Sequence, residues 1–439
     1  MLKTIQVKNF KSYRHGVLPL ASLTVLIGAN ASGKSNIIEA LKLLSMIAEG
    51  ERLSLLGNTH QQSDNLFRGE INNLGYRGST SLQISCDVTT QAFAGWDHFE
   101  IHLGFGKDGE IHVTQERITG STSTVPLYQI ISEPQGAGSD VFVAYNNFAR
   151  GGRKPKIVCS SQMAIFTQLL SEIRFRPENQ ETRAQIPKIT KNYVRWLSGI
   201  VFLEPEPNAM RFYGHKTDKL LKKHGENISG VLYTLCQDAT IKAEILEFVR
   251  SLPEQDIKDI SFIETPRGEV MVQLTETFGG TSTAYDAATL SDGTLRVLSI
   301  AGVLFSAPEQ SIVVIEEIDN GVHPSRAESL LKRMSNIAQQ RNLRVLISSH
   351  NPALLDALPD QAVPETVFCY RSPDDGSSQL IRLRDIPDYP ELIAQGSVGH
   401  LMTRGLLERF VKHHPGREQK QQKALEWLAS IREEMEISG

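Results

Sequence analysis

The residues Gly28, Ala29, Asn30, Ala31, Ser32, Gly33, Lys34 and Ser35 follow the pattern G-x-x-x-x-G-K-[ST] in full, and they constrain the chain more than any other stretch. A turn of this composition aims consecutive backbone N–H groups and a helix N-terminus at phosphate oxygens. Lys34 is placed to reach β- and γ-phosphates, and the Ser35 hydroxyl to ligate Mg²⁺. Such a turn works only between a strand and a helix. Leu23 to Ile27 is a short apolar run that suits a buried strand, and from Asn36 to Ala48 apolar residues recur at helical spacing.

The rest of the chain sorts around this unit. Leu2 to Val7 alternates as a strand, as do Ser81 to Val88 and His98 to Phe105, with strand character running to about Val113 past a Lys107–Glu110 turn. Helical periodicity dominates from about Ser160 to Leu252, broken by the proline-rich stretch Glu204 to Ala209. Ser132 to Asp140 and the basic stretch Ala149 to Lys156 read as exposed connections. A strand at Glu269 to Leu274 precedes a helix from Gly293 to Ser306, a very apolar strand from Ile312 to Ile315, a helix from Arg326 to Gln339 and a strand from Val345 to Ser348. That succession is α/β with a mostly parallel sheet. The long stretch before Leu290 cannot be structureless in a compact domain. The expected organisation is a split α/β head at 1–80 and 265–400, an inserted lobe of antiparallel β-strands and helices at 81–264, and a helical tail at 401–439.

Three further constellations carry chemistry. Glu316 and Glu317 end the apolar strand as adjacent acids pointing to opposite sides of its tip. One can hold a Mg²⁺ shell while the other orients and deprotonates water. Alone, such a pair is as common as any two surface glutamates; beside a phosphate loop it gains meaning. Leu290 to Arg296, with Ser291 and Gly293, is a small polar segment opening a helix, so its amides and hydroxyl form an anion site. His350 follows the strand Val345 to Ser348 closely enough to touch a γ-phosphate.

Taken together and in this order, these residues resemble the SMC and RecF-type branch of ABC ATPases. Phe10, Lys11, Ser12 and Tyr13 resemble the F-[KR]-S segment that opens those heads, and the phosphate loop with Asn36 looks like their G-x-N-G-x-G-K-S-N. Leu290 to Arg296 resembles the L-S-x-G signature. Glu316 to His323 is similar to the Walker B and D-loop run, and His350 stands where the switch histidine stands. The resemblance implies an ABC-type P-loop head that binds ATP and Mg²⁺. Lys11, the loop residues from Gly28 to Asn36, Ser291 and Gly293 would then contact nucleotide, Ser35 and Glu316 the metal, and Glu317 and His350 the reaction.

It also implies that the signature of one copy faces the phosphate loop of another, so that ATP glues a homodimer. Some positions depart from the pattern. Ala31 replaces a glycine, which implies a negative φ; Glu316 is one methylene longer than the usual aspartate; and His323 with Pro324 replaces the D-loop aspartate. The E-E-x-x-x-G-x-H-P run looks like the stand-alone RecF-like ATPases of bacterial anti-phage defence systems. Their glutamine-bearing loop corresponds to Gln61 or Gln62. The leading expectation is an ATPase scaffold or sensor controlling a separate effector protein. A DNA-repair ATPase that clamps DNA ends is the alternative. A nuclease of the overcoming-lysogenization-defect type is discounted, because Asp374 and Asp375 lack the Toprim spacing.

Composition restricts the partners. The 439 residues carry a net charge of −4, so a nucleic-acid contact would need a local basic face. Arg404, Arg409, Lys412, Arg417, Lys420 and Lys423 supply one, although a solvated helical face is the ordinary use of such a stretch. Ala424, Leu425, Leu428, Ile431 and Met435 form an apolar stripe beside Trp427, expected to pack on the chain's own core. The four cysteines are scattered without a C-x-x-C pair, and the apolar run from Val297 to Ala307 is too short for a bilayer. A soluble protein of a reducing cytoplasm, with no membrane partner, is the expectation.

Overall fold

The computed structural model describes residues 1–55, 71–89, 95–106, 110–121, 123–132, 140–250, 256–319 and 324–413. The chain opens with β1 (Leu2–Phe10) and β2 (Tyr13–Pro19), an antiparallel hairpin in which Phe10 faces Tyr13. Alternation places Ile5 and Val7 on one buried face, and a register shift after Leu2 and the left-handed Asn9 bring Leu2 and Phe10 into the same core. Next comes β3 (Leu23–Ile27), buried at all five positions, and then α1 (Lys34–Glu49), which ends on Gly50 in the left-handed conformation. The six strands β4 (Ser81–Val88), β5 (His98–Phe105), β6 (Ile111–Gly120), β7 (Ser123–Ile130), β8 (Asp140–Tyr145) and β9 (Lys156–Ser160) follow.

These strands extend the first hairpin into one antiparallel sheet, ordered β2-β1-β4-β5-β6-β7-β8-β9 among the described residues. The helices α2 (Ile165–Gln168) and α3 (Gln180–Ser198) lead to β10 (Val201–Leu203). Then α4 (Pro207–Met210), β11 (Gly214–His215), α5 (Ile228–Leu235), α6 (Ala239–Val249), β12 (Ile257–Glu264), β13 (Glu269–Phe278) and β14 (Thr281–Asp286) build a small antiparallel sheet backed by helices. The last third alternates α7 (Asp292–Ser306), β15 (Ile312–Ile315), α8 (Pro324–Gln340), β16 (Arg344–Ser348), α9 (Pro352–Asp356) and β17 (Val367–Arg371). It closes with β18 (Ser378–Arg382), α10 (Tyr389–Ile393), α11 (Val398–Thr403) and α12 (Leu406–His413).

The central sheet has the order β10-β15-β16-β3-β17-β18, parallel throughout except for β18. Its inner strands β15, β16 and β3 are buried on both faces, which is why they read as apolar runs. Along β15, Ile312 and Val314 join a core shared with α1, α3 and the antiparallel sheet, while Val313 and Ile315 join a second core under α5, α7 and α8. α1 is thus held between two sheets, and its N-terminus is fixed at the sheet's carboxyl edge.

Three expectations are revised. The strands from Ser81 onward continue the sheet begun by β1 and β2, and β10 is an edge strand of the parallel sheet, so 81–264 is not a lobe set apart. The reason is pairing: β1 offers a free edge to β4, and β15 offers one to β10. Strand structure also runs to Ser160, through Lys156, which had read as part of a basic connection. Finally, the helical stretch after Ser160 is interrupted by the short strands β10 and β11. The tail beyond His413, with Arg417, Lys420, Lys423 and the apolar stripe, lies outside the described residues, as do Gln61, Gln62 and 320–323.

Candidate nucleotide-binding site

The phosphate loop runs from the end of β3 to the first turn of α1, and its backbone dictates its composition. Gly28 has φ 144° and Gly33 φ 122°, values that L-residues rarely adopt. A Cβ at Gly28 would strike the Cys369 carbonyl on β17, and one at Gly33 would strike Ser378 on β18. Ala31 has φ 61°, which corrects the expectation of a negative angle. The turn itself requires a left-handed residue here, and Arg371 Nε donates to the Ala31 carbonyl at 3.0 Å, holding that orientation. An alanine in this conformation carries about 1–2 kcal/mol of local strain.

Neighbouring strands brace the loop from below. The buried Tyr13 hydroxyl donates to the Gly33 carbonyl at 3.0 Å and lies 3.2 Å from Cys369 Sγ. Burial pushes both the Tyr13 hydroxyl and the Cys369 thiol up from their ordinary values, so both stay neutral. The Ser378 hydroxyl stands within hydrogen-bond distance of the Ser32 carbonyl and 2.7 Å from Ser12 Oγ, which accepts from Asn36 Nδ2 at 2.6 Å. Lys34 curls over its own loop, donating to the carbonyls of Gly28 (2.6 Å) and Ala29 (3.0 Å). Burial lowers its pKa, opposed by the charges of Asp319 and Glu317 among others.

A cavity of about 730 Å³ opens above the loop. Lys34, Ser35 and Asn36 line it from α1, Glu316 and Glu317 from the end of β15, and Ser348 and His350 from the end of β16. Glu317 has φ 51°, so the chain turns sharply after Glu316 and sends the two carboxylates apart. Ser348 locks that turn, its Oγ accepting from Glu317 N at 3.1 Å and its carbonyl from Ile318 N at 3.3 Å. Glu316 folds back onto Lys42 of α1 at 2.7 Å, whereas Glu317 is exposed to the cavity. His350 Nδ1 stands 3.4 Å from Asp319 Oδ2.

Several residues in or near the cavity were not singled out by the sequence. Asp319 carries a side chain only 4% exposed, and its Oδ1 has no hydrogen-bond partner among the described residues. A buried carboxylate oxygen of that kind, beside a phosphate loop, fits a metal-bound water or a nucleotide hydroxyl. Its position in the run Glu316, Glu317, Ile318, Asp319 was the available signal. Arg296, from the Leu290–Arg296 segment, and Arg371, Glu204 and Glu206, from segments with no local motif, line the cavity. No three His, Cys, Asp or Glu side chains stand together in metal-holding geometry among the described residues. A divalent ion here would therefore draw on Ser35, one acid and phosphate oxygens, as Mg²⁺ does in phosphate sites.

Six sequence candidates lie off this cavity wall: Gly28, Ala29 and Ser32 within the loop itself, and Lys11, Ser291 and Gly293 away from it in sequence. The largely buried Lys11 pairs with Glu39 of α1 and so braces the helix behind the loop. Ser291 caps α7, its Oγ accepting from Thr294 N at 3.1 Å, and stays exposed while Gly293 is half-buried; neither lines the cavity. The segment before α7 is clamped by Arg211, whose Nη1 donates to the carbonyls of Leu290 (2.7 Å) and Ala288 (2.9 Å) and whose Nη2 pairs with Asp292 at 2.6 Å.

Comparison with known proteins agrees with this geometry. Residues 1–91 match the profile of the AAA ATPase domain, and residues 175–356 that of the family described as AAA domain, putative AbiEii toxin, Type IV TA system. An ATP/GTP phosphatase of Helicobacter pylori is 22% identical over 397 residues, covering 85% of this chain and 91% of that protein. The DNA replication and repair protein RecF of a Cyanothece species is 47% identical over 47 residues, which is 10% of this chain and 12% of RecF. Among solved structures, the SMC head bound to the C-terminal winged-helix domain of ScpA superposes with a TM-score of 0.48 at 15% identity, covering 87% of this chain and 97% of that one. An SMC head from Pyrococcus furiosus, bound to the C-terminal domain of ScpA, gives 0.47 at 14%, covering 94% and 99%. No helix among the described residues is long and apolar enough to cross a membrane. Two segments of the chain, 1–91 and 175–356, are thus similar to ATPase domains of the AAA type, and residues from both line this cavity.

Proposed function

We propose that the chain binds ATP in this cavity, hydrolyses it, and uses the cycle to close and open a homodimer. The observation that carries the reading is the convergence of Lys34, Ser35, Glu316, Glu317, Ser348 and His350 on one cavity from the carboxyl ends of three neighbouring strands. Lys34 meets the β- and γ-phosphates, while the loop amides and the N-terminus of α1 neutralise the rest. Ser35 and Glu316, with Asp319 nearby, would hold a Mg²⁺ ion, which would supply positive charge against the phosphates. Glu317, exposed to the cavity on its left-handed turn, orients the attacking water and accepts its proton. His350, steadied by Asp319, contacts the γ-phosphate. The Helicobacter pylori relative, which spans most of both chains, is named an ATP/GTP phosphatase and supports hydrolysis as the reaction.

The second half of the proposal concerns Ser291 and Gly293. Neither lines the cavity above the chain's own phosphate loop, although Arg296 of the same helix does, and the Ser291 hydroxyl at the N-terminus of α7 belongs to an exposed residue. Completing a γ-phosphate site with them takes a second copy, so nucleotide binding becomes binding between subunits. An ATPase of this kind acts as a switch. The family description over residues 175–356 names a putative toxin of a toxin–antitoxin system, which supports a defence role; control of a separate effector by the switch is part of our proposal. The test is complementation. Lys34→Ala and Ser291→Arg proteins should each be inactive, and mixing them should restore part of the activity, because some heterodimers regain one intact site. No recovery on mixing, with subunit exchange demonstrated, refutes the shared site.

A further inference from the structure

We infer that Lys42 is the resident counter-ion of the phosphate site, supplying to Glu316 in the metal-free protein the positive charge that Mg²⁺ supplies in the metal–nucleotide complex. The inference rests on the nucleotide-site reading above and concerns how that site tolerates its own acids. Lys42 lies two turns beyond Ser35 on α1, and its Nζ stands 2.7 Å from Glu316 Oε1. The two side chains are only 13% and 18% exposed, so the pair is shielded from the solvent screening that weakens surface pairs.

The need for such a cation follows from the wall of the cavity. Glu204, Glu206, Glu316 and Glu317 all line it, against Lys34, Arg296 and Arg371. Lys223 stands 3.6 Å from Glu204 and His224 3.1 Å from Glu206, so the acids near β10 have basic neighbours of their own. Glu316 is the acid at the strand tip beside Ser35, where an uncompensated carboxylate would repel the phosphates of an incoming nucleotide. The extra methylene of glutamate over aspartate lengthens its reach toward Lys42. In the same position the Lys42 ammonium stands 5.7 Å from the centroid of the Phe202 ring, a contact that does not involve Glu316. That aromatic contact would remain to the ammonium when a divalent ion takes over Glu316.

The consequence is a sign, and the sign can be measured. Removing a positive charge beside a phosphate site weakens anion binding and strengthens cation binding. Lys42→Met should therefore lose metal-free affinity for nucleotide while keeping most of its affinity in Mg²⁺. The ratio of the two affinities should rise about tenfold or more, given a pair this close in a partly shielded site. The experiment titrates a fluorescent ATP analogue in Mg²⁺ and in EDTA at fixed ionic strength, using the full chain. Lys42→Arg keeps the charge and should keep the wild-type ratio. Glu316→Gln should lower the ratio below wild type, because Lys42 is then free to meet the phosphates. Lys42→Met with Glu316→Gln should return it toward wild type.

A purely structural role for Lys42 would weaken binding equally with and without metal and leave the ratio unchanged, which overturns the proposal. Should Lys42→Met fail to fold, Glu316→Gln decides alone: a ratio equal to or above wild type overturns the proposal. Absence of nucleotide binding by the wild-type chain would bring down the site reading itself, and this inference with it.

Discussion

Replacing Arg211 by alanine probes the segment that the shared-site proposal depends on. Arg211 reaches the carbonyls of Leu290 and Ala288 at 2.7 and 2.9 Å, and removal leaves both without that donor. Each such bond contributes about 1 kcal/mol net. The Asp292 contact at 2.6 Å adds less than its length suggests, because that carboxylate is 64% exposed and screened. Together the losses come to about 2–3 kcal/mol, concentrated on the approach to α7. Local opening is the proper readout, since a loop of this kind opens without global unfolding. Three amides report it directly: Leu290 N, bonded to the Asp286 carbonyl at 3.1 Å, Thr294 N, bonded to Ser291 Oγ at 3.1 Å, and Leu295 N, bonded to the Ser291 carbonyl at 3.0 Å. Native-state hydrogen exchange should show their protection fall by about thirty- to a hundredfold in Arg211→Ala, at about 1.4 kcal/mol per factor of ten. Protection in β3 and β16 should not move. A change below threefold at these amides, or an equal change throughout the chain, refutes the clamp.

Ala31→Gly should raise stability by about 0.5–1 kcal/mol, since the left-handed penalty of about 1–2 kcal/mol exceeds the added freedom of the unfolded glycine. A lower urea midpoint in the variant would contradict the positive φ at that position. Glu116 is fully buried, accepting from Tyr128 Oη and from the amides of Ile165 and Phe166, and burial pushes its pKa up to about 7. A raised folded pKa means that this contribution to stability is full below the unfolded value near 4.5 and is lost as pH climbs through about 7. Urea unfolding should therefore weaken by roughly 3 kcal/mol across that window, and a Glu116→Gln protein should show a flatter profile. Equal pH slopes in the two proteins would remove Glu116 as the cause.

The sequence showed elements wherever local pattern and final environment agree. The strands Ser81–Val88, His98–Phe105 and Ile312–Ile315 have the ends expected of them, because alternation or unbroken apolarity marks each one directly. What it concealed is tertiary. Val201–Leu203 is three residues long after a helix, and it is a strand only because Val313 to Ile315 pair with it. The sheet that joins β1 to β4 spans the boundary that the expected organisation set between 80 and 81. Within the site, the loop and the two glutamates were legible because one contiguous string performs the chemistry. Lys42 and Arg211 were not, since their partners lie 274 and up to 81 residues away. The left-handed turn at Ala31 was misread because residue type alone favours a negative φ, while Arg371, from β17, holds the observed one.

The claim that Glu317 activates water in a site closed by a second copy is tested most directly by Glu317→Gln. The amide keeps the shape of the side chain and cannot accept the proton. With ATP and Mg²⁺, this variant should bind nucleotide, hydrolyse it at least a hundredfold more slowly than wild type, and elute with light scattering as a stable dimer. Wild-type hydrolysis rates in the variant, or nucleotide-loaded protein that never exceeds the mass of a monomer, would contradict the account.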